Sequence, residues 1–299
     1  MQVLKTVLVC AITMLSTSAA FAQDRPRVVA VNQALQYIAQ RLLQEEADVI
    51  FPVPEGTDPS FWRPSISDIS MIQSADLILL NGAGFATWID RVSLPRSRVV
   101  NTSAQIEDQF IVTESITHSH GDGGEHSHEG LASYLWLDPM LATAQSEAIA
   151  AAIVSRGLAS AQDIEARLAE VLSELAMLDS TSQEALSELA DVTLIATHPR
   201  YQYFARRYGL TILSLEWEAG ATPSDEDLDD LKTLSAQHEA RILIWEAAPS
   251  QEAIERTRAL GLQSVVFEPW AAKSSANSFV GAYINAVSEL SNAARQSSD

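Results

Sequence analysis

Apolar runs alternate with amphipathic segments along nearly the whole chain. Runs rich in aliphatic and β-branched residues predict buried strands, and they lie at 27–31, 49–53, 75–80, 97–100, 192–196, 211–215, 241–245 and 264–267. Apolar residues that recur every three or four positions predict helices, and these lie at 34–43, 65–73, 139–154, 163–188, 201–208, 225–238, 251–260 and from 278 onward. Strands that alternate with helices favour parallel sheets, whose ligand sites fall beyond the carboxyl ends of the strands. The pattern therefore predicts an α/β fold.

One predicted helix is much longer than the others. Residues 163–188 carry apolar side chains at helical spacing, and at about 1.5 Å per residue this helix would extend roughly 40 Å. That length suits a strut between two lobes. We therefore predict two parallel-sheet lobes joined by a single long linking helix. The N-terminal lobe is expected at 23–160, the linking helix at 161–188 and the C-terminal lobe at 189–299.

The first 22 residues have the features of a secretory signal peptide. Lys5 precedes an apolar run from Val7 to Leu15, and the small residues Ala20 and Ala22 suit cleavage by a signal peptidase. The run is too short to span a bilayer, and no later segment reaches the roughly 18 apolar residues that would do so. We therefore expect a soluble periplasmic protein without membrane insertion. Its only cysteine, Cys10, lies in the signal peptide, so no disulfide is expected in the mature chain.

The chain is strongly acidic. It has 39 Asp and Glu residues against 19 Lys and Arg, a net charge of −20, and 47% hydrophobic residues. That hydrophobic fraction supplies the core of a globular protein. The negative charge argues against DNA, RNA or anionic lipid as partners. Cations and cationic surfaces remain as candidate ligands.

Four of the six histidines lie in one short segment. His118, His120, His126 and His128 are interspersed with Gly and acidic residues in a loop predicted at 115–130. Imidazole is the commonest side-chain ligand of transition metals near neutral pH, and two His-x-His pairs can close around Zn²⁺ without a preformed pocket. We interpret this segment as a metal-binding loop. The alternative is a solvated polar insertion without a ligand.

Several motifs, in order and at matching distances, carry a resemblance to a known family. They are Asp58-Pro59, Asn81-Gly82-Ala83-Gly84-Phe85, Trp136-Leu137-Asp138-Pro139, and Thr197-His198-Pro199 followed by the segment from Tyr203 to Leu210. Together they resemble the cluster A-I solute-binding proteins, which capture zinc or manganese for ABC importers. The resemblance implies a metal ion held between two lobes by one residue from each of four loops. It also implies a permease of the inner membrane as the partner.

Only one of the four implied ligand positions carries the family's residue, and that residue is His198. Ser60 and Tyr134 stand where the family has histidines, and Glu268 stands where Asp is usual. The implied ligand set is therefore Ser60, Tyr134, His198 and Glu268, with zinc as the first expectation and manganese or iron as alternatives. His198 and Glu268 alone supply too few donors for a zinc site, which needs about four. A phenolate at Tyr134 would favour a harder ion such as Fe³⁺.

Other residues near the implied cleft keep alternatives open. Asp58, Glu216 or Glu218 could act as further ligands, whereas Arg63 or Arg200 paired with Glu268 would neutralise the site and exclude a cation. Tryptophans also lie near the cleft, and they either pack the lobe interface or bind an organic cation or a metal chelate. These are Trp62, Trp136, Trp217 and Trp270.

The leading prediction is a monomeric exported protein that captures a transition metal ion, zinc first, for an ABC permease. One alternative is the same fold with iron or a metal chelate in the cleft, where the His-rich loop is the only zinc site. Another is a periplasmic metallochaperone that serves no permease. An enzyme is not expected, because the sequence has neither a His-Glu-x-x-His motif nor a Gly-x-Ser-x-Gly motif.

Overall fold

The computed structural model describes residues 25–113 and 130–297. The predicted signal peptide and the four histidines between 118 and 128 lie outside the described residues. Within the described ranges, the alternation of strands and helices appears as predicted. No helix in those two ranges is both long and apolar enough to cross a membrane.

The N-terminal lobe is built on a four-stranded parallel sheet in the order β2-β1-β3-β4. Its strands are β1 (Arg27–Ala30), β2 (Asp48–Ile50), β3 (Leu77–Leu80) and β4 (Val99–Asn101). Helices α1 (Gln33–Leu43) and α2 (Ile66–Ser74) connect them, and a short antiparallel hairpin of β5 (Val112–Thr113) and β6 (Gly130–Leu131) follows. Apart from Arg27 at the start of β1, the central strands β1 and β3 carry only aliphatic residues and are largely buried, as expected for a parallel sheet covered on both faces.

The C-terminal lobe repeats this plan with strand order β10-β9-β7-β8, again all parallel. Its strands are β7 (Thr193–Ala196), β8 (Thr211–Ser214), β9 (Ile242–Trp245) and β10 (Gln263–Val266), and its helices are α5 (Gln202–Tyr208), α6 (Asp225–His238), α7 (Gln251–Arg258) and α8 (Phe279–Ser297). The N-terminus of α6 is closed by a reciprocal capping box between Ser224 and Asp227. The fold class of two parallel-sheet α/β lobes is thus confirmed.

Two helices follow the β5–β6 hairpin before the second sheet begins. Helix α3 (Pro139–Ser155) starts at Asp138, whose carboxylate accepts a hydrogen bond from the amide of Met140 at 2.9 Å. Helix α4 (Ala161–Leu186) has 26 residues, or about 39 Å at 1.5 Å per residue. It packs against α1 and α3 from the N-terminal side and against α8 from the C-terminal side. The long helix therefore contacts both lobes, as a strut would.

The main differences from prediction are local. The strand predicted at 49–53 ends at Ile50, because Pro52 has no amide hydrogen to donate to a neighbouring strand. The β5–β6 hairpin was not predicted, because each of its strands has two residues, too few to show a period of two.

Buried aromatic side chains join the two lobes by hydrogen bonds to backbone carbonyl groups. Each donor is almost completely shielded from solvent. The pairs are Trp136 to Pro269 at 2.6 Å, Tyr283 to Leu137 at 2.7 Å, and Tyr203 to Ala132 at 3.0 Å. Since a buried carbonyl group that loses its partner is costly, these bonds fix how the loops at the carboxyl ends of the two sheets face one another.

Candidate metal centre

His198 lies two residues beyond the end of β7, where a parallel sheet presents ligand groups. Its Nδ1 is 2.8 Å from the carbonyl oxygen of Trp217. Since a carbonyl oxygen only accepts, Nδ1 carries the proton and Nε2 keeps its lone pair. Burial lowers the pKa of His198, and the nearby charge of Arg200 lowers it further. The result is a neutral imidazole with one oriented donor nitrogen, the form in which histidine binds a metal ion.

Tyr134 lies in the segment before α3, and the side-chain amide of Asn81 holds this segment by donating to the carbonyl of Ser133 at 2.8 Å. The Tyr134 ring is 2% exposed. Burial raises the pKa of its phenol well above the ordinary value, against an opposing effect of Arg200. Tyr134 is therefore a neutral phenol, and only a strong Lewis acid at its hydroxyl would yield the phenolate that an Fe³⁺ site needs.

Ser60 lies in the loop after β2, in a turn closed by its own amide, which donates to Asp58 at 2.8 Å. Its hydroxyl is near that of Tyr134 and slightly offsets the rise in the phenol's pKa. Neither hydroxyl meets hydrogen-bond geometry with any described group, and both oxygens are buried. The structure thus brings the first two sequence-predicted positions together on the N-terminal lobe.

Glu268 follows β10 and accepts a hydrogen bond from the Ser274 hydroxyl at 2.8 Å. The residues on either side of it are tied to the other loops of the cleft. Phe267 accepts from the Tyr201 hydroxyl at 2.6 Å, and Pro269 accepts from Trp136 at 2.6 Å. The backbone of the Glu268 loop is therefore anchored both to the His198 loop and to the Tyr134 segment.

Arg200 does not pair with Glu268, the partner considered from the sequence. Its Nη2 lies 2.6 Å from Asp58 of the N-terminal lobe, and its Nε lies 3.3 Å from Oε1 of Glu246. The guanidinium carbon also lies 4.8 Å from the centre of the Tyr134 ring, in cation–π contact. Arg63, the other arginine considered, is exposed. The charge balance of the cleft is therefore set by Arg200 with two carboxylates that belong to different lobes.

Glu246 was missed by the sequence reasoning. It is the first residue after β9, so the rule that placed His198 at the edge of the sheet could have placed it too. Its Oε2 lies 4.0 Å from Nδ1 of His198 and has no hydrogen-bond partner among the described residues. Burial raises the pKa of Glu246, and Arg200 opposes the rise. Glu246 therefore places a buried carboxyl group beside the imidazole.

These residues do not form a ready-made metal site. Within residues 25–113 and 130–297, no three His, Cys, Asp or Glu side chains lie close enough together to hold a metal ion. The tryptophans considered as ligand-binding surfaces are all buried, and all four pack edge-on or tilted against other aromatic rings of the protein. Their position fits the packing alternative rather than an open surface for an organic cation.

Comparisons with known proteins agree with this architecture. Among solved structures, the metal-dependent lipoprotein YcdH of Bacillus subtilis superimposes with a TM-score of 0.75 at 20% identity, over 90% of this chain and 99% of that one. The Zn(II)-bound ZnuA-like domain of Streptococcus pneumoniae AdcA gives a TM-score of 0.75 at 17% identity, with the same coverage of both chains. At these identities the likeness concerns the fold.

Sequence relatives extend the comparison. The high-affinity zinc uptake system protein ZnuA of Bacillus subtilis is 24% identical over 237 residues, which are 77% of this chain and 73% of the relative. The zinc-binding lipoprotein AdcA of Streptococcus pneumoniae is 23% identical over 93% of this chain, which spans little more than half of AdcA, 57% of its length. The model of the family described as "Zinc-uptake complex component A periplasmic" (ZnuA) matches residues 28–293. This chain therefore belongs to the ZnuA family of zinc-uptake components, as the motifs around His198 and Asp138 predicted.

Proposed function

We propose that this chain is the extracytoplasmic solute-binding protein of an ABC importer and that it captures a transition metal ion, zinc first, between its lobes. Its family consists of solute-binding proteins and not of enzymes, which agrees with the prediction from sequence. Capture would take place in the periplasm, by a monomer that hands the ion to a permease of the inner membrane. The exported state follows from the proposed signal peptide at 1–22.

The observation that carries the proposal is the fixed tautomer of His198. The bond from Nδ1 to the Trp217 carbonyl leaves Nε2 as a donor, and the lowered pKa keeps the imidazole neutral. Metal-binding histidines are oriented in the same way, by a hydrogen bond from the other ring nitrogen. In our proposal His198 and Glu268 bind the ion, with Tyr134 and Ser60 completing the cleft. The loop histidines His118, His120, His126 and His128 would collect zinc before it enters.

Equilibrium dialysis followed by metal analysis tests the cleft directly. The full chain is expected to lose one equivalent of zinc in His198→Ala. A matched control is His238→Ala, because His238 is exposed at the end of α6, away from the cleft loops. A third variant carries Ser at the four loop histidines. If all bound zinc depends on that loop and none on His198, capture in the cleft is wrong.

The importer role is tested in the native host. Deletion of the gene should slow growth in zinc-depleted medium, and added zinc should restore it. The wild-type chain should rescue growth and His198→Ala should not. If the deletion leaves growth and zinc content unchanged, the role in zinc import is refuted. Parallel dialysis with Mn²⁺ and iron determines whether zinc is the preferred ion.

A further inference from the structure

The cleft between the lobes already contains a cation, the guanidinium of Arg200. Asp58 contacts it from the N-terminal lobe at 2.6 Å, and Glu246 contacts it from the C-terminal lobe at 3.3 Å. Arg200 follows His198 by two residues and lies over the ring of Tyr134. The positive charge is therefore fixed among the residues that the proposed function assigns to the metal ion.

Because Arg200 is buried, its positive charge interacts strongly with the groups around it. Arg200 is 8% exposed, and the side chain of Glu246 is 11% exposed. Charges shielded from water in this way interact much more strongly than charges at the surface. An incoming divalent cation would be repelled by the guanidinium, which already faces one oxygen of each of the two carboxylates, Oδ2 of Asp58 and Oε1 of Glu246.

Unpartnered polar atoms lie on residues of the same cluster. The Ser60 hydroxyl, the Tyr134 hydroxyl and Oε2 of Glu246 are all buried and lack a hydrogen-bond partner among the described residues. Buried polar atoms are nearly always paired in folded proteins, so a group without a partner calls for an explanation. These three oxygen atoms belong to Glu246, which pairs with Arg200, to Tyr134, whose ring the guanidinium faces, and to Ser60 beside Tyr134. They indicate a polar site that the protein's own side chains do not fully satisfy.

We propose that Arg200 is a resident cation that competes with the metal ion for Asp58 and Glu246. Metal binding in the cleft then requires the guanidinium to leave both carboxylates, which breaks the ion pair between the lobes. This inference rests on the proposed function for the identity of the ligand, and it adds Asp58 and Glu246 to the groups that bind the ion in the cleft. Its consequence is that the native cleft binds zinc more weakly than the same cleft without the charge of Arg200.

The test compares zinc affinities in a chain whose loop histidines are all replaced by Ser, so that only the cleft is measured. Arg200→Met removes the charge and keeps an unbranched side chain, and Arg200→Gln is a second neutral variant in case the first does not fold. Arg200→Lys is the control that keeps the charge. Titration with Zn²⁺ in competition with a chelator gives each dissociation constant.

The neutral variants are expected to bind one zinc ion at least about tenfold more tightly than the Arg200 chain, a gain of about 1.4 kcal/mol. Arg200→Lys should remain within about threefold. Adding Asp58→Asn to Arg200→Met should remove most of the gain, because that carboxylate is one of the two released. If folded neutral variants bind zinc no more tightly than the Arg200 chain, the competition is refuted.

The outcomes separate this inference from the proposed function. If zinc in the Arg200 chain depends on His198 while Arg200→Met binds no more tightly, the proposed function stands and the competition is wrong. If the Arg200 chain binds no zinc in its cleft but Arg200→Met gains a site, the competition is correct and zinc capture by the native cleft is wrong.

Discussion

The hydroxyl of Tyr203 should contribute substantially to stability, because it joins the C-terminal lobe to the two residues that flank the β5–β6 hairpin, one before β5 and one after β6. It donates to the carbonyl of Ala132 at 3.0 Å and accepts from the amide of Ile111 at 3.2 Å. Tyr203→Phe keeps the ring and leaves both backbone groups without this partner. A buried group left unpaired costs about 1–3 kcal/mol. Ile111 is half-buried and Ala132 is 5% exposed, so we expect the larger share of the cost at Ala132.

We therefore expect Tyr203→Phe to lower the free energy of unfolding by about 1–3 kcal/mol and the Tm by about 2–4 °C for each kcal/mol. Urea denaturation followed by tryptophan fluorescence measures the change. The matched control is Tyr208→Phe in the same helix. The Tyr208 hydroxyl is buried near Ser182, Tyr283 and Asp179 but meets hydrogen-bond geometry with no described group. The free energy of unfolding of Tyr208→Phe should differ from that of the wild-type chain by less than about 0.5 kcal/mol. Equal losses in both variants would refute the assignment to the hydrogen bonds.

Three further predictions follow from other contacts. Trp136→Phe removes the donor to Pro269 and should destabilise the chain by about 1–3 kcal/mol in urea denaturation; an unchanged midpoint would count against the bond between the lobes. Asp179→Asn breaks the paired contacts with Arg207, which is partly exposed, so the loss should be about 1 kcal/mol by the same measurement, and an unchanged stability would contradict it. Because burial lowers the pKa of His198 below 6.5, the unfolded chain takes up a proton below that pH before the folded chain does. Stability should therefore fall as the pH drops from 6.5 toward the folded-state pKa, by up to about 1.4 kcal/mol per pH unit, and His198→Gln should flatten this dependence; equal slopes would refute it.

The periodicity of apolar residues was sufficient to predict the strands and helices and their order along the chain. Helix α6 was predicted at its observed bounds, 225–238, because its apolar positions recur at helical spacing. The uninterrupted aliphatic run at 242–244 predicted β9, because strands buried on both faces have no room for polar side chains. These signals are local, so one sequence is enough to detect them.

The position of His198 was also accessible to this reasoning, because it follows a predicted strand in a parallel sheet. Glu246 occupies the equivalent place after β9 and was overlooked, since a single acidic residue in an acidic protein does not stand out by composition. The partner of Arg200 was not accessible. Arg200 and Asp58 are 142 residues apart in the chain, and no local pattern relates them.

The sequence by itself determined the α/β class, the two lobes, the long helix and the membership of a zinc-uptake family, because each depends on periodicity or on contiguous motifs. Only the tertiary structure decided the electrostatics of the cleft. Three loops distant in sequence bring Asp58, Glu246 and Arg200 into contact, and burial gives these charges their strength. Burial also keeps Tyr134 a neutral phenol and His198 a neutral imidazole, because the charged form of each is poorly solvated away from water.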